Sequence, residues 1–311
     1  MWIRLNKFMS CGDGQIRPVS EYRHKVVIIG DGFAEGLGDW VVLGGIAGLV
    51  RFLQRKVVED DSIRSSWEIV NRGRSGSTSV DWLPDDTNKA FLSRNALSKA
   101  CVDAEIFVVV VGTMDVVMDV AGMPITAMRK TALDDFKEDE LSETCKNIRE
   151  VCETLRNLGK RVAVCNVMTS GAGVGKRAGT AKRINRQLIL YARSTEKGGN
   201  NVAGGKGGEG AGGAGGETTM VRHPVKLIKL NNPRASRDDG RAFDGLHLNS
   251  NGYQSFATEV YEIVRPMMIA VEWKGWKAKL IHTSNTSSRE EAAQIEGPGC
   301  QEKRSVSKKT D

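Results

Sequence analysis

Two short apolar runs constrain this chain more than any other feature: KVVIIG at 25–30 and EIFVVVV at 105–111. Each is too short for a buried helix and is apolar at consecutive positions. That pattern suits a strand covered on both faces, which is the situation of strands in parallel sheets. Weaker runs of the same kind lie at 67–71 (WEIVN), 161–168 (RVAVCNVM) and 224–230 (PVKLIKL). Helical patterns fall between them. Leu37–Val57 and Thr87–Ala100 read as helices. Residues 139–158 are the clearest, with Leu141, Cys145, Ile148, Val151, Cys152, Leu155 and Leu158 at three- and four-residue steps and Gly159 as the stop. Thr180 can cap a helix carrying Ile184, Leu188, Tyr191 and Ala192. Asn249 or Ser250 can cap a last helix with Tyr253, Phe256, Ala257, Val260 and Ile263 on one face. Strand and helix alternate about five times, which predicts an α/β fold: a five-stranded parallel sheet between two helical layers. Ligands bind such sheets at the carboxyl ends of the strands.

Glycine is over-represented, 35 of 311 residues, but without a Gly-X-Y period, which excludes collagen. The excess is local. Residues 198–216 hold 11 glycines in 19 positions, too little apolar surface to offset the chain entropy. Residues 198–217 are therefore expected to be a flexible insertion in one domain spanning 25–268. Residues 1–24 form an N-terminal extension, and 269–311 read as a disordered basic tail.

The formal charge of +7 invites a nucleic-acid reading. The surplus sits mostly at the two ends, and no basic patch is interleaved with aromatic residues, so no nucleic-acid partner is expected. Six scattered cysteines without a C-x-x-C pair argue against a disulfide framework or a metal site and for buried reduced thiols. The N-terminus lacks the apolar run of a signal peptide. The most apolar stretch, Trp40–Leu53, is too short to span a membrane. A cytoplasmic protein with no cofactor is the expectation. Nothing in the sequence assigns an oligomeric state.

Four segments stand at strand ends or before the last helix. They are Gly30-Asp31-Gly32 with Gly36, then Asn71-Arg72-Gly73-Arg74-Ser75-Gly76-Ser77-Thr78, then Gly112-Thr113-Met114-Asp115, then Asp244-Gly245-Leu246-His247-Leu248-Asn249. Each alone is weak. Asp244-x-x-His247 could be an ordinary helix-entry turn, and Gly73 an ordinary turn glycine. Their order and placement form the stronger signal.

In that order they resemble the SGNH hydrolases, or GDSL-type esterases and lipases, over about residues 25–268. The resemblance implies a three-layer α/β/α sandwich, flavodoxin-like in its layering. It implies that His247 is a general base oriented by Asp244, and that the Gly32 and Gly73 N–H groups help form an oxyanion hole. Asp31 and Asp115 would support the loops. The departures matter as much. The nucleophile position holds Gly32 instead of serine, and the position of the oxyanion-binding asparagine holds Met114, which has no N–H to donate. A serine ester cannot form at Gly32.

Three readings remain open. One is a pseudoenzyme binding a small acyl, acetylated or anionic ligand. Another is an active ester hydrolase in which His247 and Asp244 activate water, or in which Thr113, Ser75 or Ser77 replaces the serine. The third is a non-catalytic scaffold. The segment SGAGVGKR, Ser170–Arg177, lacks the first glycine and the final Ser or Thr of a Walker loop; it could still attract an anion through Lys176 and Arg177.

Overall fold

The computed structural model describes residues 24–39, 48–84, 91–120, 141–169, 178–199, 222–230, 240 and 244–295. Its strands are β1 (His24–Gly30), β2 (Trp67–Gly73), β3 (Ile106–Val110), β4 (Arg161–Cys165) and β5 (Lys226–Ile228). All pair in parallel, in the order β2-β1-β3-β4-β5. Val26–Ile29 and all of β3 are buried. Burying a valine or isoleucine side chain is worth about 1.5–3 kcal/mol, so the two central strands anchor the core.

The helices are α1 (Gly32–Glu35), α2 (Gly48–Glu59), α3 (Thr113–Val120), α4 (Glu143–Asn157), α5 (Ala178–Gly199) and α6 (Ser250–Ile295). The chain moves one way from β1 to β2 and the other way from β3 to β4 to β5. Right-handed crossovers in opposite directions put α2 on one face and α4 and α5 on the other. The reversal falls between β1 and β3, and the crevice outside their carboxyl ends is where such sheets take ligands. Register aligns those ends: Gly30 pairs with both Gly73 and Val110.

Local chemistry explains most boundaries. The Ser142 hydroxyl caps α4 by accepting from the Cys145 N–H at 3.3 Å and donates to Gln187 Oε1 at 2.8 Å, tying α4 to α5. Cys145, Ile148, Val151, Cys152 and Leu155 are buried along its inner face, and Gly159 follows with φ +73°. Asn249 caps α6, its side chain accepting from the Gly252 N–H at 3.1 Å. Cys101, Cys145, Cys152 and Cys165 are free and buried, and burial pushes the thiols of Cys145, Cys152 and Cys165 up.

Several sequence expectations shift. The apolar stretch 37–57 is not one helix: α1 ends at Gly36 and α2 starts at Gly48. Over 87–100 the described part is a π-helical turn, Leu92–Ala96. Thr180 lies inside α5 instead of capping it. On α6 Val264 is buried and Ile263 is only half-buried, because the inner face drifts by one position over successive turns. Helix α6 also runs past residue 268 to Ile295, where the sequence suggested disorder. Its lysines, Ala278 and Leu280 favour helix. Residues 200–217 of the glycine-rich insertion and the segment 170–177 lie outside the described residues. The chain divides into two units, Met1–Ile269, which holds the sheet, and Ala270–Asp311.

Candidate functional site

The candidate site is built from the turns that follow β1, β2 and β3 and from the turn that leads into α6. Strand β1 ends at Gly30, and Asp31 caps α1 by accepting from the Phe33 N–H at 3.0 Å. Gly32 is therefore the first residue of a helical turn. That turn is closed by the Gly36 and Leu37 N–H groups, both donating to the Gly32 carbonyl. Tyr253 of α6, buried, donates its hydroxyl to the Leu37 carbonyl at 2.8 Å and lies 3.4 Å from that of Gly32. Asp39 accepts from the Gly48 N–H at 2.8 Å and from the Ser250 hydroxyl, so the starts of α2 and α6 share one buried carboxylate.

The Asp244 carboxylate accepts from three donors. The Leu246 and His247 N–H groups reach Oδ1 at 2.9 and 3.0 Å, and His247 Nδ1 meets Oδ2 at 2.6 Å. Partial burial pushes the Asp244 carboxyl up, but these hydrogen bonds outweigh it and hold the group below its ordinary value. With Nδ1 on the carboxylate, the ring turns Nε2 toward Gly32. A Cβ built on Gly32 would stand 2.8 Å from His247 Nε2 and 3.0 Å from Leu37 Cδ1. The imidazole thus occupies part of the space a side chain at position 32 would need. Phe33 flanks the ring at 5.2 Å between centroids. The His247 side chain is 13 % exposed, and its Nε2 is buried without a hydrogen-bond partner among the described residues.

Gly73 ends β2. Its N–H already donates to Asn71 Oδ1 at 2.9 Å. A Cβ there would lie 2.2 Å from the Glu35 backbone nitrogen, so the glycine lets α1 press against the end of β2. Asn71 Nδ2 in turn donates to the Glu35 carbonyl at 2.9 Å. Gly76, later in the same turn, has φ +75° and open space around it. Asn71, Tyr253 and Phe33 are site-shaping residues that sequence reasoning passed over. The first stood in a strand-end motif without a role, the second was counted as core, and the third is simply the neighbour of Gly32.

Met114 lies in the first turn of α3 and is buried. Asp115 accepts from the Ser79 N–H (2.8 Å), the Ser79 hydroxyl (2.6 Å) and the Thr144 hydroxyl (3.3 Å), which joins the Ser79–Trp82 turn to α4. Of the hydroxyls considered as replacement nucleophiles, those of Ser77 and Thr113 are hydrogen-bonded elsewhere. Ser77 donates to the Arg74 carbonyl at 2.7 Å and accepts from Trp82 Nε1 at 3.0 Å. Thr113 accepts from the Met168 N–H at 3.3 Å. Ser75 sits beside Glu35, which its N–H meets at 2.6 Å. Among the described residues, no group of three or more His, Cys, Asp and Glu side chains is placed to hold a metal, and no helix is long and apolar enough to cross a membrane.

Asp31 is also buried at the site. One carboxylate oxygen has no hydrogen-bond partner among the described residues. Burial pushes its pKa up to about 7; the negative field of Asp115 adds to this, and the N–H groups of Phe33, Met114 and Thr113 partly offset it. The sign follows. Between about pH 4 and pH 7 the folded chain keeps a proton that the unfolded chain releases, so Asp31 lowers stability as pH rises through that window and no further above it. Asp31→Asn is expected to gain stability relative to the parent by up to about 1.4 kcal/mol per pH unit across it. Urea denaturation of both proteins at several pH values checks this; parallel stability curves would contradict it.

No protein-family model matches this chain, and no curated protein sequence matches it. Solved structures do. A family 3 carbohydrate esterase from Clostridium thermocellum superposes with a TM-score of 0.50 at 14 % identity, covering 80 % of this chain and 98 % of that one. Axe2, an acetylxylan esterase from Geobacillus stearothermophilus, gives 0.50 at 15 % identity, covering 78 % and 94 %. At such identities the likeness speaks to the fold. Together with the β2-β1-β3-β4-β5 parallel sheet and the strand-end turns gathered at its reversal point, it shows that this chain has the SGNH hydrolase-like α/β/α fold.

Proposed function

We propose that this chain is an ester-hydrolase-like pseudoenzyme that holds a small acyl, acetylated or anionic ligand against His247 without turning it over. The observation that carries this reading is the buried, unpartnered Nε2 of His247, held by Asp244 beside Gly32. A buried polar atom without a partner costs about 1–3 kcal/mol, which a carboxylate accepting from Nε2–H of the doubly protonated ring, or a hydroxyl donating to Nε2 of the neutral ring, would recover. Gly32 offers no nucleophile, and the Met114 thioether offers no N–H to a developing oxyanion. With the Gly73 amide already used by Asn71, the Gly32 amide and the Nε2–H of a doubly protonated His247 are the groups offered to an anion. The acetyl class is suggested by neighbours that are a carbohydrate esterase and an acetylxylan esterase.

A second reading, direct activation of water, is favoured by the intact Asp244–His247 pair. Hydrolysis of p-nitrophenyl acetate and NMR titration with acetate separate the two. The expected result is no turnover above the His247→Ala background, together with acetate binding that His247→Ala abolishes. Turnover lost in His247→Ala would support water activation instead. Neither turnover nor acetate binding would leave the scaffold reading.

A further inference from the structure

Within the unit Ala270–Asp311, helix residues 270–281 carry an unusual surface. Trp273 is 72 % exposed and Trp276 is 55 % exposed; Leu280 and Ile281 are exposed as well. Trp273, Trp276 and Leu280 are three and four residues apart, so they form one stripe along the helix. Large apolar side chains clustered in this way mark an interaction surface, where single ones would not. The charge of the same stretch is one-sided. Lys274 and Lys277 are exposed, Lys279 lies in the next turn, and the only acidic residue from 270 to 281, Glu272, is buried.

We propose that this segment docks on an anionic lipid surface. Indole rings settle at the boundary between headgroups and hydrocarbon, being apolar in body with one N–H to satisfy. Lysines interleaved with the tryptophans, as Lys274 and Lys277 are, extend their aliphatic stems along that boundary and set their ammonium groups among lipid phosphates. An amphipathic helix of this kind lies in the interface instead of crossing the bilayer, consistent with the lack of any spanning helix among the described residues. The charge complementarity selects the occupant. A second copy would bring the same lysines face to face, and a neutral surface would leave them unused.

Sedimentation of the full chain with phosphatidylcholine vesicles, with and without phosphatidylserine, tests this. Binding is expected only to the anionic vesicles and should weaken as salt is raised. Each of Lys274→Gln and Lys277→Gln should weaken it roughly fivefold. Trp273→Ala with Trp276→Ala should weaken it by about tenfold or more. Both tryptophans are exposed, so circular dichroism should show the double variant as folded as the parent. Equal binding to both vesicle types, no binding to either, or parent-like binding by the tryptophan variant would overturn the proposal. So would self-association or capture of an acidic protein that the tryptophan variant abolishes without any vesicle binding.

Discussion

Gly32→Ser combined with Met114→Asn is expected to turn the chain into a measurable p-nitrophenyl acetate hydrolase, at least about 100-fold above the parent. The parent holds His247 Nδ1 on Asp244 at 2.6 Å, the pair proposed above as base and orienting carboxylate. What it lacks is a nucleophile and a side-chain donor. A serine at position 32 would bring its Cβ to 2.8 Å from His247 Nε2 and 3.0 Å from Leu37 Cδ1. The first contact is too close, so the imidazole must withdraw slightly. Nε2 is the far end of the side chain, which makes that movement cheap, and it would set the serine hydroxyl within hydrogen-bonding reach of the base. Asparagine at 114 restores an N–H donor at the start of α3, worth about 10²–10³ in rate in known acyl transfer. The expected activity vanishes on adding His247→Ala. A folded double variant with no turnover would show that the crevice does not hold the geometry of acyl transfer, and would count for the scaffold reading.

The largest losses of stability should come from Gly30→Ala and Gly73→Ala. A Cβ on Gly30 would lie 1.7 Å from the Val110 carbonyl oxygen, and the residue has φ +139°. Such a side chain would force β1 and β3 apart at the point where their register sets the crevice. On Gly73 it would lie 2.2 Å from the Glu35 nitrogen and push α1 off β2. Both obstacles are backbone, which cannot rotate away, so each substitution should cost more than about 4 kcal/mol. Gly76→Ala supplies the calibration. It has φ +75° but no atom within 4 Å of its would-be Cβ, so only the conformational cost of about 1–2 kcal/mol applies. Urea midpoints in the order parent, Gly76→Ala, then Gly73→Ala and Gly30→Ala are expected. A Gly73→Ala protein as stable as Gly76→Ala would contradict the close approach of α1.

The strands were legible in the sequence because a doubly covered strand must be apolar at consecutive positions. Residues 25–30 and 105–111 show this, the edge strand at 67–71 only in part through Trp67, Ile69 and Val70, and their ends agree closely with β1, β3 and β2. Helix α4 was legible through its 3.6-residue period. The misread segments had apolar content without a decisive boundary. Leu37–Val57 is rich in apolar residues but broken by Gly38, Asp39, Gly44, Gly45 and Gly48, and Thr87–Ala100 contains only a π-helical turn in its described part. Thr180 resembled a cap because its residue type suits one, yet whether a threonine starts a helix or sits inside it depends on how far the preceding chain is pulled into the turn.

By itself the sequence determined two things: a parallel α/β sheet with its motif-bearing turns at the strand ends, and the presence of glycine and methionine where the fold it resembles has serine and asparagine. Periodicity and residue type are local properties, and each can be read one position at a time. The tertiary structure alone decided the relations across the sheet. It brought His247 Nε2 into the space beside Gly32, and it set Gly73 against the Glu35 backbone of α1. It left one Asp31 oxygen buried without a partner among the described residues. Those are distances between residues far apart in the chain, set by how the elements pack, and no spacing within a segment encodes them.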